Sequence, residues 1–287
     1  MRNSKIIGSL ILISVIFVSV VLFQQLVSIN SPKPLEMGHV DYIKLTVLVD
    51  NNSNVSLHSP WGLSVFIETK NVSILFDAGP SPIALKENSI TLGINLSVTC
   101  DLAVVSHEHG DHIDGFSYIA TTNPNLTVCI PENMTQSSEE RITNLGFDVK
   151  KYQATTVIFP GIAIIGQLNG PPYEQALAVN VKNFGLVVVV GCSHPGVENI
   201  VTKAVKELDA YDPYLVIGGF HLATASERTI SNTVESLLKL GLQKIYPIHC
   251  SGDDIRDFIL FNYPDYFGDA RVGSQLYLNG TSNTSDN

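Results

Sequence analysis

Leu102-Ala103-Val104-Val105-Ser106-His107-Glu108-His109-Gly110-Asp111-His112 is the stretch on which the reading of this chain turns. The apolar Leu102 to Val105 has the length and β-branched content of a short buried strand, so the polar cluster begins where a strand ends. Three imidazoles and two carboxylates then fall within the six residues 107–112. Imidazole nitrogen and carboxylate oxygen are the donors that suit zinc, iron or manganese. His107 and His109 are two apart and project the same way from an extended segment. Gly110 lets the backbone turn, so that Asp111 and His112 face a neighbouring position. The spacing predicts a metal site with room for two ions.

Further histidines follow other predicted strands. Leu186–Val190, an unbroken run expected of a strand buried on both faces, leads into Gly191-Cys192-Ser193-His194. Tyr214–Ile217 leads into Gly218-Gly219-Phe220-His221, and Lys244–Ile248 into His249-Cys250. Loops at one end of the strands of an α/β sheet converge on one site, which favours these histidines over a dispersed surface set. His39 and His58 lack such a context. Helical periodicity covers Ser137–Leu145, Val197–Leu208 and Ser226–Leu240, the last stopped by Gly241. Strands are expected at Leu45–Val49, Leu63–Glu68 and Ser73–Phe76. This order fits an α/β chain with two sheets between helix layers.

His-x-His-x-Asp-His after a strand resembles the signature of the metallo-β-lactamase superfamily, and Ile74-Leu75-Phe76-Asp77-Ala78-Gly79 resembles its early strand and Asp-containing turn. Trp61-Gly62-Leu63-Ser64, Gly191 to Gly196, Gly218 to Leu222 and Ile248 to Gly252 resemble one branch, which includes the dihydropterin-ribofuranosylaminobenzene-phosphate synthases of the methanopterin pathway. The resemblance runs from about Ile43 to Leu278. It implies an αββα four-layer sandwich. It also implies that His107, His109 and a later histidine hold one metal, and Asp111, His112 and His249 a second. The loop where many members carry the later histidine is here Pro171-Pro172-Tyr173-Glu174-Gln175, and Cys192 stands where a bridging carboxylate is usual. Either His194 completes the site or Cys192 is itself a ligand; His194 is favoured, because a free thiolate outside the cytoplasm is prone to oxidation. His221 is expected to face substrate, with Gly218-Gly219 giving room for close approach. Asp77 is expected to orient His107 or His112 through the other ring nitrogen.

The N-terminus carries a separate message. Ile6–Phe23 is an uncharged apolar run of 18 residues preceded by Arg2 and Lys5. Its length suits a membrane-spanning helix, and the charges before it place the rest of the chain outside the cytoplasm. Residues 1–29 are therefore expected to be a signal anchor, 30–40 a linker, 41–278 the catalytic domain and 279–287 a flexible tail. Asn-x-Ser/Thr sequons at Asn51, Asn54, Asn71, Asn95, Asn125, Asn133, Asn279 and Asn283 offer glycan acceptors that agree with export. With 17 basic against 27 acidic residues and a net charge of -10, nucleic acid is excluded as a partner. Four cysteines do not make a disulfide framework in a domain this large. Gly-x-Ser-x-Gly is absent, which argues against a serine hydrolase.

Together these features lead to the expectation of a membrane-anchored, extracytoplasmic hydrolase acting on a small ester, lactone or phosphoester. Its cofactor would be a pair of divalent ions, zinc before manganese or iron. Asp111 and His221 are the expected catalytic groups; His107, His109, Asp111, His112, His194 and His249 are the expected ligands. The alternatives are a pterin-phosphate synthase and a non-catalytic metal-binding surface protein.

Overall fold

Leu186 to Val190 shows how the layers arise. In the computed structural model, which describes residues 33–53, 56–210 and 212–281, both faces of this strand are covered. Val187 and Val189 join a core with Ile43, Leu45, Val65 and Phe76, while Leu186, Val188 and Val190 pack with Ile200, Val234 and Leu237. An alternating strand buried twice needs apolar residues at every position, which is what the sequence supplies.

In chain order the first strands are β1 (Leu35–Glu36), β2 (Tyr42–Val49), β3 (Ser64–Glu68), β4 (Ser73–Phe76), β5 (Leu102–Val104), β6 (Thr127–Pro131) and β7 (Asp148–Tyr152). Then come β8 (Thr156–Phe159), β9 (Ile162–Asn169), β10 (Tyr173–Val181), β11 (Gly185–Val190), β12 (Leu208–Asp209), β13 (Pro213–Gly218), β14 (Lys244–Pro247) and β15 (Gln275–Asn279). The described residues form a seven-stranded sheet, β15-β2-β3-β4-β5-β6-β7, and a six-stranded sheet, β14-β13-β11-β10-β9-β8. The inner faces of both sheets share one core. On the outer face of the larger sheet, Leu85, Phe116, Ile119 and Ile142 of three helices pack on Phe66, Leu75 and Val128. The smaller sheet is covered by Val197–Glu207, Glu227–Lys239 and Asp253–Asn262. The expected sandwich of two sheets between two helix layers is therefore present.

Local chemistry sets the helix limits. Ser226 Oγ accepts from Thr229 N at the start of Glu227–Lys239, which buries Ile230, Thr233, Val234 and Leu237 at helical spacing. Gly241, at φ +98°, ends it. The strand and helix limits lie within a few residues of the sequence-based ones.

Some boundaries differ. Leu35–Glu36, inside the expected linker, pairs in parallel with Leu208–Asp209, and the compact unit begins at Leu35. Asn279, the expected start of the tail, ends β15 opposite Tyr42. No described helix is long and apolar enough to cross a membrane. The expected anchor at residues 1–29, with its run Ile6–Phe23, lies outside the described residues, as do Asn54, Asn283 and most of the expected tail.

The topology aligns the strand ends. β4 and β5 are parallel, and β2 is antiparallel to β3, which is antiparallel to β4, so β2, β4 and β5 point the same way. β11, β13 and β14 are mutually parallel in the other sheet. The turn after β4 is locked where Gly115 meets it: a Cβ at Gly115 would lie 2.0 Å from the carbonyl oxygen of Ala78. Gly115→Ala is therefore expected to cost about 1–3 kcal/mol through overpacking, read as a lower urea midpoint. An unchanged midpoint would contradict that contact.

Candidate metal centre

Six strands deliver functional groups from their C-terminal ends. Asp50 and Asn51 follow β2, Asp77 follows β4, and Ser106 to His112 follow β5. Cys192 to His194 follow β11, His221 follows β13 and His249 follows β14. Glu174 comes from the beginning of β10, which runs against β11 in a register that pairs Leu177 with Val189 and so brings Glu174 level with Cys192. Among the described residues, the non-glycine residues with positive φ are Asp77 (+55°), Asn183 (+64°), Ser193 (+60°), His221 (+53°) and His249 (+52°). All but Asn183 are at this edge, where local backbone strain marks a functional position.

The imidazoles are held from behind. Asp77 is fully buried and accepts three hydrogen bonds: from Ser106 N (2.7 Å), Ser106 Oγ (2.6 Å) and His112 Nδ1 (2.7 Å). Because Ser106 Oγ donates to Asp77, it accepts from His107 Nδ1 at 2.9 Å. His249 Nδ1 donates to Asn51 Oδ1 at 2.9 Å, and His249 N donates to Asp50 Oδ1 at 2.8 Å. The network thus assigns the Nδ1–H tautomer to His107, His112 and His249 and leaves each Nε2 as a lone-pair donor. Asp77, expected to orient one of two histidines, orients His112 directly and His107 through Ser106.

The free nitrogens converge. His112 Nε2 lies 3.2 Å from Cys192 Sγ and 3.7 Å from Asp111 Oδ2. His249 Nε2 is 3.3 Å from Asp111 Oδ2 but is buried without a hydrogen bond, as two ligand atoms of one ion would be. His194 Nε2 is likewise buried without a hydrogen-bond partner. Ligand atoms of Asp111, His112, Cys192 and His249 lie within 4.8 Å of one another, and so do those of His107, Cys192 and His194. His109, the exposed member, places Nδ1 3.1 Å from His107 Nε2, with its ring 4.9 Å from that of His194. The six expected ligands are therefore brought together. Cys192 and His194, set against each other in the sequence, both point into the cluster, and Cys192 belongs to both groups.

Protonation follows the surroundings. Burial first, then the neighbouring imidazoles of His112 and His194, hold His107 well below the usual histidine range. Burial and His221 bring His194 down to about 4. For His112 burial acts downward, but the charge and hydrogen bond of Asp77 prevail and raise it. Burial works to raise Asp111, yet the His249 contact and the His112 charge take it down to about 2.

Glu174 and Asn51, in loops expected to border the pocket, and Asp50 have no role at the centre in the sequence reading. Glu174 is buried and accepts from Ser193 N and His194 N at 2.8 Å each, fixing the loop that presents Cys192 and His194. Burial pushes its carboxyl up to about 7. Pro171 to Gln175, noted for lacking a histidine, thus supports the histidine that stands in for it. Asn51, read as a sequon on an exposed loop, is half-buried, and its Nδ2 donates to the His249 carbonyl at 3.3 Å. Trp61 is 54% exposed and its ring leans on His249 at 5.1 Å.

This is the metallo-β-lactamase fold carrying a histidine-, aspartate- and cysteine-lined centre at the strand ends. Over 83% of its length the chain superimposes on 99% of a metal-dependent hydrolase of the β-lactamase superfamily, with TM-score 0.70 and 23% identity. It also covers all of the metallo-β-lactamase fold protein YhfI from Bacillus subtilis (83% of this chain, 100% of that one, TM-score 0.61, 14% identity). In sequence it is 27% identical over 289 residues to the 7,8-dihydropterin-6-methyl-4-(β-D-ribofuranosyl)-aminobenzene-5'-phosphate synthase of Methanocaldococcus jannaschii, covering 83% of this chain and 98% of that protein. No protein-family model matches the chain.

Two outcomes test this geometry. Asp77→Ala strands three buried donors at about 1–3 kcal/mol each, so a loss of about 3–9 kcal/mol in urea denaturation is expected; a loss below 1 kcal/mol would refute the hub. In a glycosylating host, glycopeptide mapping is expected to find Asn51 unmodified, since a glycan would break its bonds to His249. Full occupancy at Asn51 would contradict that arrangement.

Proposed function

We propose that the chain is a metal-dependent hydrolase that binds two divalent ions. The observation that carries this reading is the set of Nε2 atoms of His107, His112 and His249, each freed by an Nδ1 hydrogen bond made away from the centre. In that reading His107, His109 and His194 would hold one ion and Asp111, His112 and His249 the other, with Cys192 close to the ligand atoms of both groups. A soft thiolate among imidazoles favours zinc over manganese or iron. Bound ions of this kind lower the pKa of a coordinated water from about 15.7 toward 7 and polarise a carbonyl or phosphoryl oxygen.

The chain's own groups do the rest. Asp111 stays ionised and is fixed between His112 and His249, which suits a ligand that also accepts a hydrogen bond from the incoming water. His221 sits exposed at the rim with its ring 4.4 Å from that of His194, and its hydrogen bond with Cys250 raises its pKa. It is placed to pass a proton between the reacting centre and solvent. Substrates of the expected class are small esters, lactones and phosphoesters. The run Ile6–Phe23, with Arg2 and Lys5 before it, supports a membrane anchor with the domain outside the cytoplasm.

The second reading is a transferase like the Methanocaldococcus jannaschii synthase, favoured by the similarity over most of both chains. The resemblance implies a cytoplasmic pathway for such a synthase, so protease treatment of intact cells separates the two: digestion of the domain supports the exported hydrolase, and protection supports the synthase.

Elemental analysis of the full chain is expected to find two ions, and fewer in Asp111→Ala. Hydrolysis should fall about 100-fold or more in that variant, because even groups that merely orient a ligand are worth about 10–100-fold. Chelation should abolish turnover and added zinc restore it. Full activity after chelation would overturn the reading.

A further inference from the structure

Cys250 and His221 lie outside both ligand groups described above. With Cys192 they nevertheless make a third set whose ligand atoms lie within 4.8 Å of one another. Cys192 is 4% exposed and Cys250 5%. Cys250 Sγ approaches the Cys192 carbonyl oxygen at 3.7 Å. His221, on a backbone held at φ +53°, supplies the imidazole from the solvent side. Gly219 accounts for the close approach: a Cβ there would lie 2.6 Å from Cys250 Sγ. The glycine pair that the sequence offers as space for substrate is thus, at Gly219, space for a sulfur.

Two sulfurs and one imidazole differ from the donors of the other two groups, which are mainly nitrogen and oxygen. Thiolates select soft cations over hard ones, whereas carboxylate-rich sites accept manganese or magnesium. Three protein ligands with one side open to solvent is an arrangement that zinc-like ions take. We propose that Cys192, Cys250 and His221 form a third, soft-metal position, sharing Cys192 with the pair, for a thiophilic divalent cation such as Zn²⁺ or Cd²⁺. Binding there releases the thiol protons to solvent. The consequence rests on the metal-pair reading: an ion at this position draws Cys192 from the pair and covers His221. Thiophilic cations in excess then inhibit, and Mn²⁺ does not.

The test is a Cd²⁺ titration of the full chain, followed by thiolate-to-metal absorption and by ions retained per chain after gel filtration, with Mn²⁺ in parallel. Wild type is expected to take one more Cd²⁺ than either Cys250→Ser or His221→Asn. Asparagine tolerates the left-handed backbone at 221, so this variant carries the test if serine at the buried position 250 does not fold. Equal Cd²⁺ stoichiometry in wild type and His221→Asn overturns the proposal. Fewer than two Mn²⁺ in wild type would instead count against the metal pair.

Discussion

The centre depends on one buried carboxylate. Asp77 has no lysine or arginine among its bonded partners; it is held by a backbone N–H, a hydroxyl and an imidazole. These bonds join the end of β4 to the end of β5 and set the tautomers of His112 and, through Ser106, of His107. A carboxylate in the interior is costly unless its oxygens are satisfied, and each of these donors would be stranded without it. The φ of +55° at Asp77 is the local strain that brings the carboxylate under the histidine loop.

The opposite wall repeats the device with other residues. Glu174 binds two consecutive backbone N–H groups and so fixes Ser193 and His194, and Asp50 binds the backbone N–H of His249. In each case a buried carboxylate orients main chain, and the main chain carries the imidazole. The two sheets are separate hydrogen-bonded units, so contacts such as His112 Nε2 to Cys192 Sγ tie the groups of one to those of the other. Precision in the site thus comes from short loops pinned at strand ends, which a packed double-sheet core holds in register.

Much of this was legible in the sequence. Apolar runs marked β2, β4, β11, β13 and β14, and His-x-His-x-Asp-His stood out because imidazole and carboxylate at that density after a strand have one common chemical use. What stayed hidden depends on pairing across the chain. Glu174 sits 20 residues before His194, and Asn51 198 residues before His249, so their bonds follow from register rather than from any local pattern. β6, β7, β8, β9, β10 and β15 were not among the expected strands; of these Asp148-Val149-Lys150-Lys151-Tyr152 and Thr156–Phe159 lie at sheet edges and lack the unbroken apolar runs of strands such as β11. The choice between Cys192 and His194 assumed one vacancy to fill, whereas the turn at Ser193, with φ +60°, lets both side chains face the cluster.

Charge supplies a further argument about the centre. Asp50, Asp77, Asp111 and Glu174 gather there with Cys192 and Cys250, and no lysine or arginine is among the hydrogen-bond or ion-pair partners of those four carboxylates in the described residues. Two of the imidazoles do not balance them: His107 and His194 are driven toward the neutral form, the former by burial and by its imidazole neighbours, while His112 is raised by Asp77. Imidazoles lowered by one another share a preference for a cation that is not a proton. A divalent ion at each group would satisfy the Nε2 lone pairs and the carboxylate of Asp111 together, and it would stabilise the thiolate of Cys192 against the Cys250 contact and the burial that raise its pKa. Repulsion among the histidines and excess negative charge around them are two imbalances with opposite signs, and a bound cation relieves both.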